Sequence, residues 1–419
     1  MGVVVNLLSV ASVLKSIGSV LLAVGILLAM VTVHEFGHYV AGKILGFKIN
    51  EFAVGFGPAL FKKRSKRTGE LFALRVIPLG GYCAFDGEDE MDEEAPKTAE
   101  KETVEDQPFL ELSSEPKNDE EVENDGGRVE MNEETEYPEP KGERFNDQKP
   151  WKRIIVLIAG ATMNYLLALV LLFIMFGCYG CIHSYVVYGG ETPAIVSETA
   201  LNPKDIVLSV NGKDIYLATD YADALSGKKQ GEEIVVEILR KNEEGVWQEK
   251  TLTLLSAVDC NFKSMTEIGL ALRALGLDPQ TYGLASVTLK EGFWQTIGSS
   301  FVYSFKIGGT VLRSLGELVT GRIGLDSMGG PVTTIGITAQ AASSSFLSFL
   351  NIAAFIGVNL AVFNLLPIPA LDGCKVIFCI IEWIRKKPVN RKVETMIHFI
   401  GIIALFAFAI LIDVLQLFA

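Results

Sequence analysis

The sequence predicts a multi-pass α-helical membrane protein, with four transmembrane helices, an inner membrane-associated β-hairpin region and one extracytoplasmic β-rich domain. Three observations carry this expectation. The chain of 419 residues is 49% hydrophobic, with a mean hydropathy of +0.33, more apolar than an ordinary soluble protein. Four runs, at about 17–41, 154–176, 346–366 and 396–415, are apolar and near the ~20 helical residues that cross a hydrocarbon core of about 30 Å. Basic residues cluster in "KKRSKR" (62–67), "KPWKR" (149–153) and "RKKPVNRK" (385–392), which the positive-inside rule puts on the cytoplasmic side. A four-span path that starts outside satisfies all three clusters. It leaves 46–150 inside, 184–345 outside and the C-terminus outside.

The elements follow in order. Residues 1–45 hold the first span. A cleaved signal peptide flanked by Lys15 is the competing reading, but the run has no convincing cleavage site. Residues 46–85 show short β-prone runs broken by Gly-Pro, Thr-Gly and Gly-Gly, which predict β-hairpins on the cytoplasmic side. Residues 86–149 form an acidic, Pro-containing insert, expected to be a largely disordered, solvated spacer. Roughly half of the chain's 50 acidic residues fall there, so the net charge of −13 says little about partners. Residues 150–183 are the second span.

A β-rich domain is expected at 184–258, with an Asn211-Gly212 turn and two strand-like runs, "EEIVVEILRK" and "WQEKTLTLL". Residues 259–345 read as a linker with an amphipathic membrane-surface helix, in which Phe293, Ile297, Phe301, Phe305 and Val311 recur at roughly helical spacing. Lys306 and Arg313 argue against a fifth span there. Residues 346–394 hold the third span and "NLLPIPALDG" (364–373), and 395–419 hold the fourth span. The six cysteines are scattered and give no zinc-finger or disulfide framework; Cys178 and Cys181 form a C-x-x-C at the end of a span, read as structural or incidental.

The chemistry concentrates in "HEFGH", residues 34–38. His34 and His38 are one helical turn apart, so both imidazoles can meet one metal ion, with Glu35 beside them. In such sites the histidines bind zinc and the glutamate activates the zinc-bound water. With only 4 His in the chain, a chance match is expected at roughly a few in a thousand. A purely structural buried trio is costly inside an apolar helix.

A catalytic zinc takes three protein ligands. His183 falls on the outer side of the second span, and His398, near the inner end of the fourth, has no companion motif. The better candidate is Asp372, presented after two prolines that break the third span. Freed backbone at membrane depth is tolerated only around a protein-lined or watered cavity. Alone, Asp372 would read as a helix N-cap for "GCKVIFCIIEWI"; the metal motif reverses that preference.

With these residues in hand, the chain resembles a bacterial site-2 protease of the regulator-of-sigma-E-protease type, an intramembrane zinc metalloprotease. The likeness covers nearly the whole chain apart from the acidic insert. His-Glu-Phe-Gly-His matches the family's first-span motif. Asn364, Pro367, Pro369, Leu371, Asp372 and Gly373 match its Asn-x-x-Pro-x-Pro-x-Leu-Asp-Gly motif, which supplies the third ligand. "PLGGY" (78–82) matches the inner hairpin and "GGPV" (329–332) the segment before the third span. The outer domain resembles the family's PDZ domain.

Two departures stand out. Gly160-Ala-Thr-Met-Asn164 has alanine where the family often has proline, and Cys374-Lys375 follow Leu-Asp-Gly where Gly-His is usual. Asn164 keeps its polar place near mid-membrane, and Cys374 is expected to be a small apolar filler.

The resemblance implies zinc on His34, His38 and Asp372, with Glu35 activating the bound water. Asn364, with its amide just before Asp372, is the candidate oxyanion donor. It implies a site toward the cytoplasmic side of a bacterial inner membrane and substrates that are transmembrane proteins, such as anti-sigma factors or remnant signal peptides, already trimmed by another protease. The partners are those substrates and the lipid bilayer, with no nucleic acid. An exposed hairpin edge would hold the unwound substrate by β-augmentation. Two other functions compete: a membrane zinc protease acting on loops or peptides, and a non-catalytic PDZ membrane scaffold. The first usually takes a glutamate as third ligand, and the second does not need His34, Glu35, His38 and Asp372 intact.

Overall fold

The computed structural model describes residues 10–88, 137–191, 196–325 and 328–418. The chain opens with α1 (Val10–Leu45), an uninterrupted apolar helix. Gly46, at φ +81°, ends it by letting the Phe47 N–H reach back to the Gly42 carbonyl at 2.9 Å. The strands β1 (Ile49–Arg64) and β2 (Leu71–Phe85) follow and pair antiparallel. Both bend. Residues 51–54 of β1 therefore meet 81–84 on one side (Glu51 opposite Ala84, Val54 opposite Gly81) and 71–74 on the other.

The sheet stands along the second half of α1. At one end the buried Glu70 accepts the Tyr39 hydroxyl at 3.0 Å and pairs with Lys43. At the other, Gly81 lies so close to Val31 and Glu35 that a Cβ there would meet the Glu35 Cγ at 3.4 Å. From residue 31 to 43 of a helix is about 18 Å, so the sheet reaches well into the depth of the span.

Most of the acidic insert, residues 89–136, lies outside the described residues, but its two ends do not behave as a solvated spacer. Phe145 is 2% exposed and its ring packs, tilted, against those of Phe47 and Phe85, with centroids 5.4 Å away in each case. Lys48 N–H donates to the Glu143 carbonyl and Phe145 N–H to that of Asp86. An aromatic in an acidic stretch has no reason to stay in water when a Phe pair beside it can cover it.

The helix α2 (Pro150–Tyr179) has proline in its first turn. It packs against α1 and against later helices, so it is the hub of the bundle. One residue, Gly180 at φ +100°, separates it from β3 (Cys181–Tyr188). Then come β4 (Ile206–Val210), β5 (Lys213–Asp214), α3 (Ala218–Leu225), β6 (Glu233–Lys241), β7 (Trp247–Leu255), α4 (Ile268–Ala274) and β8 (Tyr282–Leu289). The sheet order is β7-β6-β4-β3-β8, with β5 on β4. Asn211 and Gly212, both at positive φ, make the turn between β4 and β5, as Asn-Gly at a two-residue hairpin requires.

This β-domain is larger than the 184–258 read from the sequence. β3 and β8 pair along their whole lengths, from Cys181 opposite Leu289 to Tyr188 opposite Tyr282. Residues 181–183, assigned above to the second span, and 268–289, assigned to a linker, therefore belong to the domain.

The helix α5 (Phe293–Val319) is where the amphipathic helix was expected. Its faces are the reverse of a soluble helix. Thr296, Ser299, Ser300 and Ser304 are buried with Tyr303, Ile307 and Val311, while Phe293, Phe301 and Phe305 point outward. Lys306 and Arg313, the charges that interrupted the stripe, pair with Asp220 and Asp223 of α3. The remaining helices are α6 (Pro331–Ser344), α7 (Phe346–Asn364), α8 (Asp372–Arg385) and α9 (Arg391–Phe418); α6 was not anticipated.

Among the described residues, four helical stretches are long and apolar enough to cross a membrane: Lys15–Leu45, Pro150–Tyr179, Phe346–Asn364 and Arg391–Gln416. The ends of α8 and the starts of α2 and α9 meet in one network, where Glu382 accepts from Arg153 at 2.8 Å and lies 3.4 Å from Arg391.

Candidate metal centre

α1 presents His34 and His38 on one face, toward α2. The helices approach closely because Gly160 faces them; a Cβ there would fall on both imidazoles. The ring centroids are 4.7 Å apart and nearly perpendicular, and the two Nε2 atoms are 3.0 Å apart. The turn after α7 returns the chain so that Asp372 opens α8, with Leu371 in the cap position. Asp372 is thus not the N-cap it resembles in isolation. Its Oδ2 lies 3.0 Å from the Nε2 of His34 and 3.4 Å from that of His38.

Among the described residues, His34, His38 and Asp372 form the group whose ligand atoms all lie within 4.8 Å of one another. Asp372 Oδ2 is buried with no hydrogen-bond partner of acceptable geometry. Lone pairs from two imidazoles and a carboxylate converging on one point are unfavourable unless a cation sits among them. Two nitrogens, one carboxylate oxygen and one remaining position are what catalytic zinc takes, so these residues fit the ion.

The surroundings set the imidazole tautomers. His38 Nδ1 lies 2.8 Å from the Val156 carbonyl, which accepts, so Nδ1 carries the proton and Nε2 is free to ligate. His34 Nδ1 has two amides beside it, Asn164 at 3.4 Å and Asn364 at 3.3 Å. Asn164 is 1% exposed and its Oδ1 has no partner. Turning that amide puts Oδ1 on the His34 Nδ1–H and leaves Nε2 as the ligand atom. Asn364 is therefore placed against His34, and it does not line the cavity described next. The alanine at 161 is buried in an unbroken α2, so the helix shape does not depend on proline there.

A cavity of about 620 Å³ adjoins the trio, lined by Glu35, His38, Asp372, Lys375 and residues 82–88. Strand residues 82–84 pair with β1 on one side only, so their other edge has no partner strand among the described residues. Lys375 pairs with Glu88 at 2.8 Å; Cys374 is buried beside them and is not part of the metal group. His183 lies in β3, 3.7 Å from Glu291, and His398 accepts from the Ala370 N–H at 3.2 Å; neither belongs to the trio. The Val156 carbonyl has no signature in sequence, because any residue supplies one. Gly160 did: small residues mark close helix approach in membranes.

The profile of Peptidase family M50 matches residues 22–408. The zinc metalloprotease RasP of Bacillus licheniformis is 27% identical over 415 residues, 89% of this chain and 92% of the relative. The regulator of sigma-W protease RasP of Bacillus subtilis is 27% identical, with coverage of 89% and 92%. The zinc metalloprotease RasP of Oceanobacillus iheyensis is 27% identical, covering 93% of this chain and 97% of its own. A profile match over nearly the whole length, on a chain whose first span carries His-Glu-Phe-Gly-His, leaves one conclusion: the chain belongs to Peptidase family M50, the site-2 protease family of zinc metalloproteases.

Proposed function

We propose that this metalloprotease is an intramembrane endopeptidase that cleaves transmembrane segments of membrane proteins, with its site toward the cytoplasmic side. The observation that carries the reading is the shared cavity: the unpaired edge of residues 82–84, the Glu35 carboxylate and the Asp372 carboxylate line one space beside the span-length helices α1 and α2. A helical substrate has its peptide groups bonded to one another and must unwind before a carbonyl is accessible. The β2 edge offers backbone donors and acceptors to the unwound strand, which lowers the cost of breaking the helix beside the site. His34, His38 and Asp372 would hold zinc, which when bound supplies Lewis acidity toward a water and a peptide carbonyl.

The chain's own groups then divide the work. Glu35 takes the proton from the attacking water and passes it to the departing amine. The Val156 carbonyl keeps His38 in the ligating tautomer, and the Asn164 amide oxygen does the same for His34. Asn364, expected above to bind the oxyanion, stands with its amide nitrogen 3.3 Å from His34 Nδ1. Sidedness is supported by the basic clusters: the loop at 62–67 is tied to the end of α1 by Glu70, and Arg153 and Arg391 meet at Glu382, so these share one end of the bundle while the β-domain follows the other end of α2.

Cleavage in proteoliposomes tests the proposal. A transmembrane reporter is cut, and a soluble peptide with the same scissile sequence is not. Preferential cutting of the soluble peptide would favour a membrane protease of loops and peptides instead. The β-domain is PDZ-like in this reading and filters substrates, so that only those trimmed by another protease, such as anti-sigma factors or remnant signal peptides, reach the site. Replacing residues 189–281 with a short linker, which keeps β3 beside β8, then admits untrimmed substrates; slower cutting of trimmed ones would show recruitment in place of filtering.

A further inference from the structure

α9 touches the rest of the protein sparingly. Phe399, Ile400, Ile403, Phe406 and Ile410 are all exposed, as lipid-facing residues are. Against that background two residues stand out, because neither suits a lipid-facing helix: His398 is 9% exposed, and Gly401 lies against Pro369. Both meet the same short stretch, the turn at 365–371 that carries the chain from α7 to α8 and delivers Asp372.

We propose that His398 and Gly401 are positioning residues for the ligand Asp372, bracing from α9 the turn that presents it. Three features converge. Ala370, two residues before Asp372, has φ +83°, a conformation that side chains with a Cβ seldom adopt and that persists only where the surroundings fix it. The N–H of that same Ala370 donates to His398 Nδ1 at 3.2 Å, so the imidazole holds the strained peptide in place. One helical turn further on, Gly401 allows α9 to close on Pro369; a Cβ there would collide with the proline ring and its carbonyl carbon. Gly373, at the start of α8, abuts the carbonyls of Leu365 and Leu366, so α8 packs against the same turn.

Without the acceptor, Ala370 relaxes toward negative φ and the first residues of α8 rotate with it. A carboxylate whose oxygen must sit within bonding distance of one ion tolerates little of that movement. The inference rests on Asp372 being a ligand, and the experiment separates the two claims.

Zinc-loaded full-length protein in detergent is mixed with a chromogenic chelator, and the rate of zinc release is compared for wild type, His398→Leu, His398→Asn, Gly401→Ala, Asp372→Asn and the lipid-facing control Phe399→Leu. Asparagine keeps an acceptor oxygen where Nδ1 stands. Release from His398→Leu and Gly401→Ala accelerates by about 10- to 100-fold, as loss of an outer support of a ligand commonly does, while His398→Asn and Phe399→Leu stay within about threefold of wild type. A residue that merely filled space would not be rescued by asparagine. Wild-type release from His398→Leu and Gly401→Ala, with Asp372→Asn accelerated, overturns the positioning role alone. So does His398→Asn releasing zinc as fast as His398→Leu. Wild-type release from Asp372→Asn overturns the ligand assignment itself. Should His398→Leu fail to fold, the contrast between Gly401→Ala and His398→Asn decides.

Discussion

α2 and α9 are both long, apolar and able to cross a membrane, yet in their most apolar windows 39% of α2 is buried inside the protein and only 11% of α9. Hydropathy does not separate them, because lipid and a protein interior are equally apolar. What separates them is where small and polar residues fall. In α2, Gly160 and Asn164 face the histidines and Arg153 is buried at the start. Within the apolar run of α9, His398, Gly401 and Asp413 each mark a contact. In a bilayer the departures from hydrophobicity, and not hydrophobicity itself, map the protein's interior.

The largest effect that sharpens this contrast is expected at Gly160. Gly160→Leu drives a side chain into both imidazoles and should abolish zinc retention and cleavage, whereas Gly177→Ala, on the same helix but facing open space, should shift stability by no more than about 0.5 kcal/mol. Metal analysis and an unfolding curve on each variant check this. An intermediate effect is expected at Arg153, which is 1% exposed and bonded to Glu382. Arg153→Met leaves that carboxylate without one of its partners in a site of low polarity and should cost about 3–5 kcal/mol, read from denaturation in mixed micelles. The smallest is expected at Asp413. Its carboxylate accepts from the N–H groups of Val332 and Thr333 at the start of α6, at 3.1 and 3.3 Å. Asp413→Ala should cost about 0.5–2 kcal/mol, as loss of a helix cap does; a value indistinguishable from that of the lipid-facing Phe406→Leu would remove the distinction drawn for α9.

How much of this the sequence shows follows the same physics. His34, Glu35, His38 and Asp372 stood out because ionisable groups inside apolar runs are expensive; the structure brings His34, His38 and Asp372 together, and Glu35, His38 and Asp372 line one cavity. The four helices long and apolar enough to cross a membrane were legible by length. β3 was not, since it continues from α2 with one glycine between them and its partner β8 lies about a hundred residues later. α6 was missed because "TTIGITAQAASS" has no apolar stripe; it packs through small residues and threonines against α1. The period of α5 was visible in sequence, but not that Ser299, Ser300 and Ser304 would face inward, because period alone does not say which solvent surrounds a helix. The role of His398 depends on a backbone N–H at Ala370, and backbone groups leave no trace in side-chain patterns.

Glu35 is assigned proton transfer beside a zinc held by other residues. Glu35→Gln, purified, assayed for bound zinc and reconstituted with a transmembrane substrate, tests it most directly. Zinc content should equal that of wild type, with cleavage lowered by about 10²–10⁴-fold or more. Full cleavage by Glu35→Gln, or loss of its zinc, would contradict it.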